Sequence, residues 1–226
     1  MKTFLITGAS RGIGFQLSKQ LADQGNNVIA TARTETALQK LKSENPEHIK
    51  MQCADLSSMD DILNLTTYLD EIDGLVFNAG ALINKPFTEL SDSDWKQMLD
   101  VNLMAAVRLI RSLIPKLKEN SHIVLISSMG GYQGSSKFPG LSAYSASKGA
   151  LSILAECLAA ELQEQRISVN ALCLGAVQTE MLENAFPGFQ APVSASEMGA
   201  YISHFLIEGN RYYNGKVLPV SLADPK

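Results

Sequence analysis

The chain has 226 residues, 46% hydrophobic and 19% charged, with a formal net charge of −4. This is the composition of a single globular domain large enough to bury its core without disulfides or metals. The acidic balance excludes a general nucleic-acid or anionic-membrane binder, since both need a concentrated basic surface. Short apolar runs alternate with longer amphipathic ones. Residues 4–7 read as a strand and 12–23 as a helix that Gly25 ends. A strand at 27–32 precedes a helix at 36–42, and a strand at 49–53 precedes a helix at 59–68. The fourth strand, 74–77, leads to one long helix over 91–117, with Ser91 and Ser93 as caps and Asp92 and Asp94 at its positive end. Strand 122–126, helix 143–163, strand 167–172, helix 194–206 and strand 216–220 complete the chain. Strands this apolar, each followed by a helix, predict a single-domain α/β fold over 1–226. Its doubly wound, Rossmann-type parallel sheet has about seven strands and helices on both faces. Such sheets bind ligands beyond the carboxyl ends of their strands.

Cys53, Cys157 and Cys173 are odd in number, lack CxxC spacing and lie in apolar stretches, so they are expected to be buried, reduced thiols. His48, His122 and His204 are scattered, and no metal site is expected. The N-terminal apolar run stops at Thr7-Gly8, too short for a signal peptide or a membrane span, which predicts a cytoplasmic protein.

Chemistry concentrates at Tyr144-Ser-Ala-Ser-Lys148. Positions four apart on a helix share a face. A free phenol has a pKa near ~10, out of reach at neutral pH. A cation about 5 Å away at an effective dielectric near 20 would favour the phenolate by roughly 3 kcal/mol, about two pK units. That shift would suit a proton donor or acceptor for an alcohol oxygen.

Thr7-Gly8-Ala9-Ser10-Arg11-Gly12-Ile13-Gly14 joins the first strand to the first helix. Glycines there allow a tight turn and close approach of a pyrophosphate to the open amides of a helix N-terminus. The spacing Thr-Gly-x-x-x-Gly-x-Gly resembles that of the short-chain dehydrogenase/reductases. The resemblance runs on in order: Phe77-Asn78-Ala79-Gly80, then Asn102, Ser127-Ser128, Tyr144 and Lys148. Leu174-Gly175 stands where the family has Pro-Gly, with Val177 and Thr179 following. The segment 180–194, where the family has its substrate lid, is short, and the chain ends in Val-Ser-Leu-Ala-Asp-Pro-Lys.

The resemblance implies a nicotinamide-dependent oxidoreductase. Tyr144 would donate the proton, Ser128 would polarise the carbonyl, and Lys148 would lower the Tyr144 pKa and hold the nicotinamide ribose. Asn102 would support a water, with a helix-kink role as the structural alternative. Gly8, Ser10, Arg11, Gly12, Ile13 and Gly14 would cradle the dinucleotide, with Leu56, Gly175, Val177 and Thr179 along it. Asp55 is either an adenine contact or a cap with Ser57 and Ser58. Asn78, Ala79 and Gly80 would wall the adenosine, unless Asn78 fixes the sheet. The end of the second strand reads Thr31-Ala32-Arg33, with no acid to hold the ribose hydroxyls of NAD. Arg33 offers a forked donor set to a 2′-phosphate, with Arg11 on its other side, which favours NADP(H); a plain surface charge is the alternative for Arg33. Tyr132, Phe138 and Pro139, with Phe186, Pro187 and Phe189, either pack on an apolar aldehyde or ketone or cover the core. A non-catalytic NADP-binding sensor is the competing reading. The family also implies a homo-oligomer, a homodimer or homotetramer, and the alanines at 143, 146, 150 and 155 suit close helix packing or simple burial.

Overall fold

The computed structural model describes residues 1–222. Seven strands form one wholly parallel sheet: β1 (Thr3–Thr7), β2 (Asn27–Ala32), β3 (Ile49–Cys53), β4 (Ile72–Phe77), β5 (Leu117–Ser128), β6 (Ser168–Leu174) and, last in the chain, β9 (Val217–Val220). Their spatial order is β3-β2-β1-β4-β5-β6-β9, so the winding reverses between β1 and β4. That is the switch point at which such sheets open a crevice.

Alternation along the strands divides the core in two, because successive side chains point to opposite faces. Leu5, Leu75, Phe77, Ile123 and Leu125 pack on one side with Leu109 and Leu151. These last two belong to α5 (Ala105–Leu113) and α6 (Ser142–Glu161), and α3 (Met59–Tyr68) covers the same face. Phe4, Ile6, Val76, Val124 and Ile126 pack on the other side. They meet α1 (Gly12–Asp23), α2 (Glu35–Glu44) and α8 (Ala195–Glu208). Side-chain caps fix several helix starts. Ser58 accepts the Asp61 amide at α3. Ser91 and Asp94 form a capping box on α4 (Asp92–Leu99), as do Ser194 and Glu197 on α8.

Three features depart from the sequence expectation. The helix expected over 91–117 is broken: a π-helical turn, Asp100–Met104, separates α4 from α5, and α5 gives way at Ile114 to a turn holding Pro115. Proline there lacks an N–H and clashes with the preceding turn. β5 begins at Leu117 rather than at 122, because a register shift lets polar residues 118–120 bulge out, with Asn120 at φ 65°. The segment 180–194, read from the sequence only as a short lid, carries regular structure. It holds α7 (Glu180–Ala185) and a small two-stranded pair of β7 (Val177–Gln178) with β8 (Val193–Ser194). Of the cysteines, only Cys173 is buried. Cys53 is exposed because it ends the edge strand β3, and Cys157 because it lies on an outward face of α6. No helix among the described residues is long and apolar enough to cross a membrane. Among the same residues, no group of His, Cys, Asp and Glu could hold a metal. Most of the C-terminal ending singled out in the sequence, from residue 223 onward, lies outside the described residues.

Candidate active site

A cleft of about 990 Å³ opens at the carboxyl ends of the strands, on the switch point. Its first wall is the loop from β1 to α1. Gly8 and Gly12 take positive φ, 66° and 56°, which side-chain-bearing residues rarely adopt. Gly14 lies beneath the loop rather than in the cleft: a Cβ there would come within 2.7 Å of Asn78 Nδ2 and run into the Gly8 carbonyl. Its role is close packing of helix on loop. Arg11, the N-cap of α1, offers no side-chain cap, so the first amides of the helix remain available to an anion.

Thr7 ties β1 to β4. Its hydroxyl accepts the amides of Asn78 and Ala79, each at 3.0 Å. Asn78 Nδ2 returns bonds to the carbonyls of Thr7 (3.2 Å) and Gly8 (3.3 Å). Asn78 therefore both lines the cleft and fixes the sheet. The hydroxyl of Thr7 is a part of the site that the sequence did not single out beyond its place in the glycine motif.

Ser10, Arg11, Ile13, Arg33, Asp55, Leu56, Ala79, Gly80, Gly175, Val177 and Thr179 also border the cleft. Asp55 accepts the amide and hydroxyl of Ser57, at 2.9 and 2.8 Å. These bonds, aided by the charge of Arg33, hold its carboxyl below the usual range. Asp55 thus organises the turn before α3, although Ser58 is the actual cap. The charge at the end of β2 is cationic, since Arg33 occupies the cleft rim where an acid would repel a phosphate.

Ser128 ends β5, and Tyr144 and Lys148 project from the first turns of α6 into the same cleft. Burial pushes the Tyr144 phenol up, and a hydrogen bond with the Ser128 side chain pulls against it. Burial lowers Lys148 to about 8. Its Nζ donates to the Ile126 carbonyl at 2.8 Å. In the protein alone, desolvation thus acts on Tyr144 in the direction opposite to the lowering expected from Lys148, whose ammonium is hydrogen-bonded to the backbone of β5. Ser127 Oγ donates to the Lys148 carbonyl at 2.8 Å and so satisfies the backbone of α6.

Asn102 is fully buried and does not line the cleft. Its Oδ1 accepts the Ala81 amide at 2.8 Å, and its Nδ2 donates to the Ala81 carbonyl and to Ser147 Oγ, both at 3.0 Å. It sits in the π-turn, where one extra residue per turn swings the side chain inward. The kink alternative is thus part of its role. The neighbours Val101 and Ala105 reach the cleft instead.

The remaining wall is apolar. Phe138 and Phe186 approach with ring centroids 6.4 Å apart, and Phe189, Met181, Leu182 and Leu82 extend the surface. Tyr132, Pro139 and Pro187 do not reach it. Leu82, Met181 and Leu182 were missed because apolar residues in loops and short helices carry no periodic signal.

A family model described as short chain dehydrogenase matches residues 2–188. A fatty acyl-CoA reductase of Acinetobacter baylyi is 34% identical over 192 residues; the match covers 80% of this chain and 64% of that protein's own length. A 3-oxoacyl-(acyl-carrier-protein) reductase of Rickettsia bellii is 32% identical, over 80% of this chain and 75% of the relative. Among solved structures, a short-chain dehydrogenase/reductase of Brucella melitensis superposes with TM-score 0.88 at 28% identity, covering 97% of this chain and 95% of that one.

Proposed function

The chain belongs to the short chain dehydrogenase family, and we propose that it is an NADP(H)-dependent carbonyl reductase for apolar aldehydes or ketones. The observation that carries this reading is the convergence of Ser128, Tyr144 and Lys148 inside a cleft that begins at a glycine loop and bears Arg33 on its rim.

The residues fit a dinucleotide phosphate. Gly8, Ser10, Gly12 and Ile13 would cradle its pyrophosphate at the N-terminus of α1. Arg33 and Arg11 would face the 2′-phosphate as charge-assisted donors. Asp55 and Leu56 would border the adenine, and Gly175, Val177 and Thr179 the nicotinamide end. When bound, the nicotinamide supplies or accepts the hydride.

The chain's own groups manage the proton. A phenol pushed upward by burial stays protonated at neutral pH, the state required to donate to an oxygen gaining charge. Ser128 supplies a second donor to that oxygen and orients it. Lys148, at about 8, is mostly protonated at neutral pH yet close enough to that value to exchange protons. The aromatic wall excludes water and accepts an apolar substituent, with Phe138 and Phe186 at its mouth.

The reading extends to a cytoplasmic homodimer or homotetramer. Light scattering of the purified protein measures the mass and so tests the oligomer. Cofactor choice is tested by titrating NADPH and NADH. The parent binds NADPH more tightly, and Arg33→Asp reverses the order. An unchanged ratio refutes the phosphate contact. A panel of aliphatic and aromatic carbonyls tests turnover: no NADPH oxidation with any member, despite tight cofactor binding, would instead favour a non-catalytic NADP-binding sensor.

A further inference from the structure

We propose that Ser147 is a positioning residue, whose hydroxyl locks the Tyr144 turn of α6 to the loop after β4 through Asn102; this rests on the reading of Tyr144 as proton donor. Ser147 is fully buried, and its hydroxyl is used in both directions. It accepts from Asn102 Nδ2 at 3.0 Å and donates to the Tyr144 carbonyl at 2.7 Å. Asn102 in turn clamps both backbone groups of Ala81. The result is one unbroken chain of hydrogen bonds from Ala81 through Asn102 and Ser147 to the backbone of Tyr144.

Each member has a reason to be rigid. The π-turn at Asp100–Met104 presents Asn102 inward, and Asn102 has no solvent to fall back on. Gly80, next to Ala81, lies tight against the far end: a Cβ on it would stand 3.2 Å from Asn102 Oδ1 and 3.3 Å from Lys148 Nζ. The spacing between the loop wall, the Lys148 ammonium and the Tyr144 turn is therefore set partly by the relay. Removing the Ser147 hydroxyl leaves that buried Asn102 N–H only the weak sulfur acceptor of Met98, at 3.8 Å, and burial makes the loss costly enough to be relieved by movement. The available movement is a shift of the π-turn or of the first turn of α6. Either changes how the phenol meets Ser128.

The experiment compares Ser147→Ala and Ser147→Thr with the parent in two assays. The first is ultraviolet-difference titration of Tyr144 in the protein alone, with Tyr144→Phe as the blank, which needs no turnover. The second is carbonyl-dependent NADPH oxidation across pH. For Ser147→Ala, the Tyr144 titration midpoint moves and kcat falls on the order of tenfold, while NADPH affinity stays within about twofold. Ser147→Thr, which keeps the hydroxyl, restores the midpoint. A Ser147→Ala protein that melts earlier but keeps the parental midpoint and pH profile overturns the proposal. So does a Ser147→Thr protein that folds but fails to restore the midpoint. Absence of turnover in the parent would count against the proposed reaction alone, because the titration still reads Ser147.

Discussion

Lys148 should make the protein less stable, and replacing it should show this. Its side chain is buried, with only 4% of the residue exposed, and its pKa falls from 10.5 to about 8. Because the folded pKa lies below the unfolded one, the folded state binds the proton more weakly. Below pH 8 both states carry the proton, and the fold bears a full penalty of roughly 3 kcal/mol, at 1.36 kcal/mol per pK unit. Between pH 8 and 10.5 the unfolded chain holds the proton and the fold does not, so stability rises with pH until the penalty is gone. Lys148→Met keeps the volume and removes the charge, but leaves the Ile126 carbonyl without its 2.8 Å donor, a loss of about 1 kcal/mol. The variant should therefore be about 2 kcal/mol more stable than the parent at pH 7 and slightly less stable above pH 10.5. Urea unfolding of both proteins at the two pH values measures the difference. A variant less stable than the parent at pH 7 would refute the desolvation argument, whatever happens to activity. A gain in stability with loss of turnover is the trade expected where function keeps a charge out of water.

Two further outcomes follow from the fold. His122, packed between the Leu206 carbonyl at 3.1 Å and Asn170 Nδ2 at 2.9 Å, is held by burial at about 4. A depressed histidine contributes stability that is complete above the unfolded pKa of 6.5 and lost as pH falls toward 4, on the order of 3 kcal/mol. Subtracting the acid-unfolding curve of His122→Gln should remove that component, and superimposable curves would contradict it. Gly14→Ala should weaken NADPH binding at least tenfold and lower the melting temperature, because its Cβ has no room between Gly8 and Asn78. Calorimetric titration and thermal melting check both effects, and an unperturbed affinity would mean that the loop can shift freely.

The parallel sheet was legible because its strands are apolar on both faces and the helices between them are amphipathic. The glycine loop was legible because its spacing is tied to one turn geometry. What the sequence hid depends on tertiary context. A π-turn has no sequence pattern of its own, so the interruption at Asp100–Met104 and the inward turn of Asn102 were hidden inside a continuous helical pattern. The bulge at the start of β5 lies in Lys-Glu-Asn, a polar run that gives no strand signal. Exposure of Cys53 and Cys157 depends on which strand is an edge and which face of α6 looks outward. The Tyr144–Lys148 spacing identified the pair correctly as neighbours in one cleft. It could not tell that burial pushes the Tyr144 phenol up, nor that the lysine ammonium donates a hydrogen bond to the Ile126 carbonyl.

The proposed mechanism turns on one phenolic oxygen, that of Tyr144. Stopped-flow oxidation of enzyme-bound NADPH by a reactive aldehyde, in the parent and in Tyr144→Phe, is the measurement that bears on it most directly. Tyr144→Phe should bind NADPH normally and lose hydride transfer by a factor on the order of a thousand. Transfer at the parental rate without that hydroxyl would contradict the mechanism.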